Sequence, residues 1–298
     1  MTDRIIDLSR DPARLSVRNG LLVIERKEQA EITVPFDEVA VLIGTHRQLS
    51  FTQTVFSELM EAGGVFVACD HRGMPAGLML PMEGNHVQAE RFAAQAAAPL
   101  PTRKRLWQGV VRAKVAGQAR ALRALHGDDF GLMTLARQVG SGDPRNVEGQ
   151  AARRYWTRLF ADDPKFLRDR DKPGRNILLN YGYAVLRGIA ARAVCGAGLH
   201  PSFGIHHHNR YDAFLLADDL MEPFRPLVDL AVVALTAPPL PQQELDPETK
   251  RALVAALLEP VEFQGEQRSL FDALARMAAS MAKVYLGLRK GMDLPEWS

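Results

Sequence analysis

The first eighty residues alternate between apolar and polar positions with the short period of β-strands. Residues 15–17 and 21–24 flank Asn19-Gly20, a dipeptide that strongly favours a hairpin turn. One helix is predicted from a Ser50 cap to Ala62, ended by two glycines. Further strands are predicted over residues 31–34, 39–43, 65–69 and 76–80. The pattern predicts a small β-rich domain, similar to a β-sandwich with one helix.

From residue 103 onward the apolar positions recur at helical spacing, as in Trp107, Val111 and Val115 followed by Leu122 and Leu125. Because strands precede helices instead of alternating with them, the chain is predicted to be α+β with two domains. We predict the β-rich domain over residues 1–83, a linker over 84–102 and an all-α domain over 103–298.

The boundaries of the later helices follow from caps and breakers. The second is predicted to begin near Pro144 with Asp143 as its cap, because proline suits the first helical position. The remaining helices are predicted over about 176–195, within the acidic stretch of residues 202–229, and near 248–258 and 267–289, with a loop over 238–247.

Hydrophobic residues make up 47% of the 298 residues and charged residues 24%, values typical of globular proteins. The chain has no run of eighteen uncharged apolar residues, and its first residues lack the apolar core of a secretory signal. The two cysteines, Cys69 and Cys195, lie far apart in apolar surroundings. These features predict a cytoplasmic protein with buried thiols.

Charge is distributed unevenly along the chain. Residues 100–211 hold 20 Lys and Arg against 8 Asp and Glu, whereas the segments before and after them are acidic. A basic middle third indicates a polyanion partner such as nucleic acid, and a solvated helical surface is the alternative.

One carboxylate lies on the predicted inner face of the second helix. Ala152, Tyr155 and Leu159 form an apolar stripe, and Glu148 is four residues before Ala152. A buried carboxylate must be paired, protonated or bound to a cation. The sequence leaves two alternatives open: an ion pair with an arginine such as Arg187 or Arg192, or a metal ion.

The stretch SFGIHHHNRYDAFLLADDLMEPFRPLVD, residues 202–229, places three histidines before a second group of acids. Asp219 and Glu222 share a helical face, whereas Asp218 points towards a polar face with Arg225. Two prolines, at 223 and 226, leave backbone carbonyls without donors and can kink the helix. A simple helix end at Met221 is the alternative.

Carboxylates with a single imidazole are the ligands that suit Mg²⁺ or Mn²⁺, whereas structural zinc prefers thiolates or more histidines. Such a metal site polarises phosphate groups and activates oxygen nucleophiles. Together with the basic middle third, this set of residues favours phosphoryl chemistry on a nucleic acid.

Four segments, EGQAARRYW, NYGYAVLRG, GLHPSFGIHHHN and LADDLMEPFRPLVD, resemble in order and spacing the CRISPR-associated adaptation integrase and endonuclease family. The motifs GIHHHN and MEPFRPLVD most resemble those of the form found in type II systems. The resemblance implies a β-rich domain for dimerisation and partner contact, and a helical catalytic domain. It also implies a homodimer that joins a small dimeric adaptation partner protein and inserts short duplex DNA with 3′-hydroxyl ends into the repeat array.

The resemblance further implies a catalytic set of Glu148, His207, Asp219 and Glu222, in which Glu148, His207 and Glu222 bind Mg²⁺ or Mn²⁺ and Asp219 assists. His207 is placed by its distance from Gly204, with His206 as the alternative ligand.

The arginines expected to contact DNA are Arg105, Arg112, Arg120, Arg123, Arg153, Arg154 and Arg158. Two other functions compete with the integrase: a nucleic-acid-binding scaffold without catalysis, and a helical metal hydrolase that acts on small phosphate esters.

Overall fold

The structure is a computed structural model that describes residues 3–237 and 245–297. A β-rich N-terminal part precedes a mostly helical C-terminal part, which confirms the predicted fold class. Within the described residues the strands are β1 (Arg4–Leu8), β2 (Ala13–Arg18), β3 (Leu21–Glu25), β4 (Ile32–Pro35), β5 (Val39–Gly44), β6 (Leu49–Phe51), β7 (Val65–Cys69), β8 (Pro75–Met79), β9 (Val261–Phe263) and β10 (Glu266–Arg268).

The helices in the same ranges are α1 (Gln53–Glu61), α2 (Gln88–Ala96), α3 (Leu100–His126), α4 (Leu132–Arg137), α5 (Val147–Leu159), α6 (Arg175–Gly196), α7 (Leu215–Met221), α8 (Arg225–Thr236), α9 (Pro247–Ala256) and α10 (Leu270–Tyr285). A 3₁₀ turn over Glu222–Phe224 joins α7 to α8. No helix of the described residues is both long and apolar enough to cross a membrane.

Two four-stranded sheets form the N-terminal part. The first has the order β1-β5-β7-β8, in which β1, β5 and β7 are parallel and β8 is antiparallel. The second has the order β4-β3-β2-β6, with β6 parallel to β2. The hairpin between β2 and β3 turns at Asn19 and Gly20, both with positive φ, as the sequence predicts.

The predicted Ser50 cap was wrong. Ser50 and Phe51 belong to β6, where they pair with Arg14 and Leu15 of β2, and α1 begins only at Gln53. Pairing with a distant strand overrode the local capping preference. The sequence also missed β1, β9 and β10, and β10 covers the start of the helix predicted over 267–289.

The predicted linker contains α2 and the first residues of α3. The predicted loop over 238–247 lies largely outside the described residues, and Pro247 begins α9.

Two apolar cores lie within residues 3–237 and 245–297. One lies between the two sheets and α1, around Leu15, Leu42 and Leu59. The other joins the opposite face of the first sheet, through residues such as Val41 and Val67, to the helices. At its centre α6 is buried on most sides, as expected for a helix that is apolar around its circumference. The helices α3, α5, α7 and α8 surround the predicted acidic residues.

Candidate active site

Glu148 lies in the first turn of α5, whose start is fixed by two side chains. Asn146 has a φ of +49° and its side chain accepts a hydrogen bond from the first turn at 3.1 Å. The carboxylate of Asp143 accepts hydrogen bonds from the backbone N–H groups of Val147 and Glu148 at 2.8 and 2.9 Å. The predicted start near Pro144 was therefore early: Asp143 does satisfy free N–H groups, but from a turn before the helix.

The buried face of α5 agrees with the predicted stripe at Tyr155 and Leu159, but it has Ala151 in place of Ala152. Ala151, Tyr155 and Leu159 are buried, whereas Ala152 is only half-buried. Glu148 consequently lies at the edge of the buried face, with its side chain 25% exposed. An edge position anchors its backbone in the core and leaves the carboxylate accessible.

Lys114 of α3 joins the two glutamates. Its Nζ lies 2.6 Å from Oε1 of Glu148 and 2.6 Å from Oε2 of Glu222. Burial opposes the charged form of Lys114, but the charges of Glu222 and Glu148 outweigh it and raise the pKa of the ammonium group. A cation therefore sits between two carboxylates that are 74 residues apart in the chain.

Glu222 is nearly fully buried and still ionised. Burial alone would raise the pKa of its carboxyl, but Arg225 and Lys114 lower this pKa to about 2. Arg225 donates from Nη1 to Oε1 of Glu222 at 2.8 Å. A buried carboxylate held by two cations needs no proton to be stable in the core.

The arginines predicted as partners of Glu148 lie elsewhere, which corrects that alternative. Arg187 forms an ion pair with Asp218 at 2.5 Å, and Arg192 with Asp3 at 3.1 Å. Asp218 was likewise expected beside Arg225, but it faces Arg187. Burial raises the pKa of Asp218 despite this arginine.

The prolines at 223 and 226 reorganise the helix that carries the acids. The α-helix ends at Met221, a 3₁₀ turn covers Glu222–Phe224, and α8 starts with Pro226 in its first turn. Proline suits a first turn because that N–H group would have no partner. The break gives Asp219 and Glu222 different surroundings even though they are three residues apart.

Asp219 is fully buried and fixes the histidine loop. Its carboxylate accepts hydrogen bonds from the backbone N–H groups of Ile205, His206 and His207 at 2.6, 3.1 and 3.4 Å. It also lies 2.6 Å from Nδ1 of His207. A Cβ on Gly204 would lie 3.0 Å from the same carboxylate, so glycine permits the loop to close on it.

The three histidines have different environments. His207 is half-buried, and its hydrogen bond to Asp219 raises the pKa of the imidazole. His206 is exposed and stacks on the ring of Trp107, with 4.1 Å between centroids and 4° between planes. Burial lowers the pKa of His206. His208 is exposed. With Nδ1 of His207 directed to Asp219, its Nε2 is the nitrogen available to a ligand.

A cavity of about 350 Å³ is lined by both His207 and Glu222. Basic side chains from α6 and the loop before it, Arg168, Arg170 and Arg187, line the same cavity. The cavity therefore combines acidic and imidazole groups with cations able to bind phosphate.

A second acidic cluster, which sequence reasoning missed, lies deeper in the core. Asp229 of α8 accepts hydrogen bonds from the hydroxyls of Tyr155, at 2.9 Å, and Tyr183. Burial raises the pKa of Asp229 to about 6. The guanidinium group of Arg225 lies over the Tyr183 ring, 4.1 Å from its centroid, and connects this cluster to Glu222.

Lys114 was also missed, although a signal exists. It lies on the buried face of α3, four residues after the buried Val110 and three before the buried Gly117. A charged residue on an apolar stripe indicates a buried partner.

The predicted DNA-contacting arginines lie on α3 and α5. Most are exposed, and several also bind the protein: Arg112 donates to the carbonyl of Val139 at 2.9 Å, and Arg123 forms an ion pair with Asp129 at 3.0 Å. Arg105, Arg154 and Arg158 also donate hydrogen bonds to neighbouring groups. The exposed arginines of these two helices are Arg105, Arg112, Arg120, Arg123, Arg153 and Arg154, and Arg158 is half-buried.

Within residues 3–237 and 245–297, no group of three or more His, Cys, Asp or Glu side chains is arranged to hold a metal ion. The structure brings Glu148 and Glu222 together through Lys114, and His207 and Glu222 both line one cavity. The ammonium group marks a position that two carboxylates make favourable for a cation. The donor types present therefore fit a divalent ion with oxygen ligands and one nitrogen.

Residues 7–242 match the family described as CRISPR associated protein Cas1. The chain belongs to the Cas1 family. It is 35% identical over 293 residues to a CRISPR-associated endonuclease Cas1 of Neisseria meningitidis, covering 97% of this chain and 95% of that relative. The resemblance inferred from the four sequence segments is confirmed at the level of the family.

Solved structures share the Cas1 fold at low sequence identity. A casposase bound to its integration product has a TM-score of 0.80 at 21% identity, covering 97% of this chain and 92% of that one. A Cas1 protein from Thermotoga maritima has a TM-score of 0.74 at 17% identity, covering 98% and 100%. Complexes of Cas1 with DNA and of a Cas6-RT-Cas1 protein with Cas2 are also among the matches.

Proposed function

We propose that this Cas1 chain is a metal-dependent DNA endonuclease and integrase of CRISPR adaptation. It inserts short duplex DNA into the repeat array by transesterification, with the 3′-hydroxyl ends of the duplex as nucleophiles. The supporting observation is the cation position between Glu148 and Glu222, 2.6 Å from each carboxylate, beside a cavity that His207 and basic side chains line.

Glu148, Glu222 and Nε2 of His207 would hold Mg²⁺ or Mn²⁺. A bound ion polarises the scissile phosphate and promotes deprotonation of the attacking hydroxyl. Glu222 supplies a carboxylate that is ionised at any physiological pH, because Arg225 and Lys114 lower its pKa to about 2.

Asp219 has a positioning role in this proposal. Four contacts to the histidine loop, three from backbone N–H groups and one from the ring of His207, use its carboxylate fully. It would hold His207 in the tautomer with Nδ1 protonated and direct Nε2 to the metal, as carboxylates beside metal-bound histidines commonly do. Asp219 would therefore support a ligand without binding the ion.

DNA would bind along the basic surfaces next to this site. Arg168, Arg170 and Arg187 line the cavity and would contact phosphates near the reacting bond. The exposed arginines of α3 and α5 would hold the duplex, with Arg153 and Arg154 nearest to Glu148 in the chain. Binding through phosphates should weaken steeply with added salt, whereas hydrolysis of a small phosphate ester should not.

The proposal extends to assembly. The β-rich region, residues 1–83, would carry the contacts of a homodimer and of a small dimeric adaptation partner protein. We also propose the form found in type II systems, which the wording of residues 204–209 and 221–229 supports. Copurification of the chain with candidate partner proteins, followed by measurement of the mass of the complex, tests these assignments.

The site is tested with Glu148→Ala and His207→Ala in an integration assay with Mg²⁺ or Mn²⁺. Both variants should lose strand transfer and keep duplex binding nearly intact, because the substituted groups contact metal instead of phosphate. His206→Ala and Glu90→Gln serve as matched controls and should keep strand transfer. Full integration by the His207→Ala protein would overturn the ligand assignment, and equal activity in chelator would favour a scaffold without catalysis.

A further inference from the structure

The carboxyl ends of three parallel strands meet in the N-terminal part, away from the acidic site. Strands β1, β5 and β7 run in the same direction and are neighbours in one sheet. The loops that follow them carry Ser9, residues 45–48 and residues 71–73, and these segments line a cavity of about 480 Å³. In open sheets with parallel strands, ligands commonly bind outside this edge.

A buried lysine from the helical part closes this cavity. Lys250 of α9 is only 4% exposed and lines the cavity, and the carboxyl groups of Asp7 and Asp246 are its acidic neighbours, acting through charge. Its ammonium group contacts the ring of Tyr181, 5.5 Å from the centroid. These charge interactions leave the hydrogen-bonding capacity of the ammonium group available on the side of the cavity, so the position favours an anionic ligand that enters there.

Gly73 permits the close approach of this ammonium group to the loop after β7. Its φ is +74°, and a Cβ built on it would lie 2.6 Å from Nζ of Lys250 and 3.3 Å from Cγ2 of Thr45. Glycine is therefore required both by the backbone conformation and by the space that Lys250 fills. The loop is built around the lysine.

Further donors surround the same space. Nδ1 of His46 accepts a hydrogen bond from the N–H of Gln48 at 3.1 Å, which leaves Nε2–H free to donate. Arg47 uses one N–H on the carbonyl of His71 at 3.2 Å and has others available. Arg72 is exposed at the rim, and none of the residues lining the cavity is acidic.

We propose that this cavity binds a phosphate group, with Lys250 at its base and Arg47, His46 and Arg72 around it. Phosphate fits the set because it is a compact anion with several acceptor oxygens, and arginine and lysine are its usual partners. The inference does not depend on the chemistry at Glu148 and Glu222, and it adds a second site to the chain.

Two sources can supply the phosphate: a small phosphate ester, or the end of a DNA strand. Neighbouring cavities with shared lining residues lie between this site and the acidic one. Arg72 also lines a neighbouring cavity of about 900 Å³, and that cavity shares Arg170 and Asn180 with the cavity at Glu222. The geometry favours a DNA terminus, and this choice of source rests on the proposed function.

Isothermal titration of the full chain with inorganic phosphate tests the site. Lys250→Met should weaken phosphate binding roughly tenfold or more, the loss expected for one charge-assisted hydrogen bond. Lys27→Met is the matched control, because the Lys27 side chain is 90% exposed in the same part of the molecule, and it should bind as the unmodified chain does. Arg72→Gln, an exposed substitution that spares the core, should weaken binding by a smaller factor.

Equal phosphate affinity in the Lys250→Met, Arg72→Gln and unmodified proteins would overturn the site. A second titration compares oligonucleotides with 5′-phosphate and 5′-hydroxyl ends. Tighter binding of the phosphorylated end that is lost in Lys250→Met supports a DNA source, whereas equal binding of both ends assigns the site to a small phosphate ester. A Glu148→Ala protein should keep phosphate binding, so failure of the proposed chemistry and failure of this site are distinguishable.

Discussion

Two buried carboxylates of the helical part, Glu222 and Asp229, are seven residues apart and equally inaccessible, at 3% and 2% exposed. Their protonation behaviour is opposite: the pKa of Glu222 is lowered to about 2, and that of Asp229 is raised to about 6. Burial acts in the same direction on both, so it does not explain the difference. The partners do.

Glu222 contacts two cations, Lys114 and Arg225, directly. Asp229 contacts two neutral hydroxyls, those of Tyr155 and Tyr183, and the charges of Arg225 and Arg168 act on it without a hydrogen bond. Cations compensate the loss of hydration of an ionised carboxylate, and hydroxyls do so only in part. The first cluster, Glu148, Lys114 and Glu222, is therefore suited to hold positive charge. The second cluster, Asp229 with Tyr155 and Tyr183, joins α5, α6 and α8 by hydrogen bonds. The two clusters share α5 but differ in role: the first holds charge and the second stabilises the packing of helices.

The largest expected effect is on strand transfer, which should depend on Glu222 much more than on Asp229. Glu222→Gln should reduce strand transfer roughly a thousandfold, because it removes a charged group of the proposed metal site. Asp229→Asn should stay within a few-fold of the unmodified protein, because the Asp229 carboxylate contacts tyrosines instead of the cavity. Single-turnover integration assays with Mn²⁺ measure both. Equal losses in the two variants would show that the clusters act as one unit.

Lys114→Met tests whether the ammonium group stands in for an ion. The substitution leaves two carboxylates facing each other with Arg225 as their remaining cation, and should lower the free energy of unfolding by about 3–5 kcal/mol in chelator. Saturating Mn²⁺ should restore more stability to this variant than to the unmodified protein, because the ion replaces the missing charge.

Urea unfolding with and without Mn²⁺ measures the Lys114 effect, and Lys104→Met, an exposed lysine on the same helix, is the control. Identical stabilisation by Mn²⁺ in the variant and the unmodified protein would contradict a shared cation position.

The first cluster was partly predictable because its acids interrupt apolar patterns. Glu148 and Glu222 stand beside buried positions of helices, which is visible in a single sequence. Their joint partner was not, because Lys114 lies 34 residues before Glu148 and helix packing alone brings them together. The arginines proposed from sequence, Arg187 and Arg192, have partners on other elements.

The second cluster and the histidine loop depend on contacts between distant parts of the chain, which local sequence patterns do not predict. Asp229 looked like an ordinary polar residue of α8, since its tyrosine partners are 74 and 46 residues away. The contacts of Asp219 with residues 205–207 depend on how a loop closes, which no helical or strand period encodes. The assignment of His207 came from the family resemblance. In the sheets, the parallel pairing of β6 with β2 overrode a local cap at Ser50 for the same reason.

The free energy of unfolding should depend on pH through Asp229 of the second cluster. Because the pKa of Asp229 rises from its ordinary value of 3.8 to about 6 on folding, the folded chain binds more protons than the unfolded chain between these values. The free energy of unfolding should therefore fall as pH rises from 4 to 6, by about 3 kcal/mol for a shift of two units.

Asp229→Asn should remove this dependence on pH, and Asp37→Asn, at an exposed carboxylate, should not. Chemical denaturation at a series of pH values gives the difference between the curves. Parallel curves for the Asp229→Asn and unmodified proteins would mean that Asp229 titrates alike in the folded and unfolded chains.

The smallest effect comes from one hydroxyl. Tyr155→Phe removes the donor 2.9 Å from Asp229 and keeps the packing of the ring, so it should lower the free energy of unfolding by about 1–2 kcal/mol. It should also raise the pKa of Asp229 further, because a hydrogen bond that favours the ionised form is lost, and move the pH-dependent window upward. Tyr211→Phe, at a side chain 84% exposed, is the control. If Tyr155→Phe instead reduced strand transfer as strongly as Glu222→Gln, the division between the two clusters would have to be abandoned, because Tyr155 shares α5 with Glu148 and would then be setting its position.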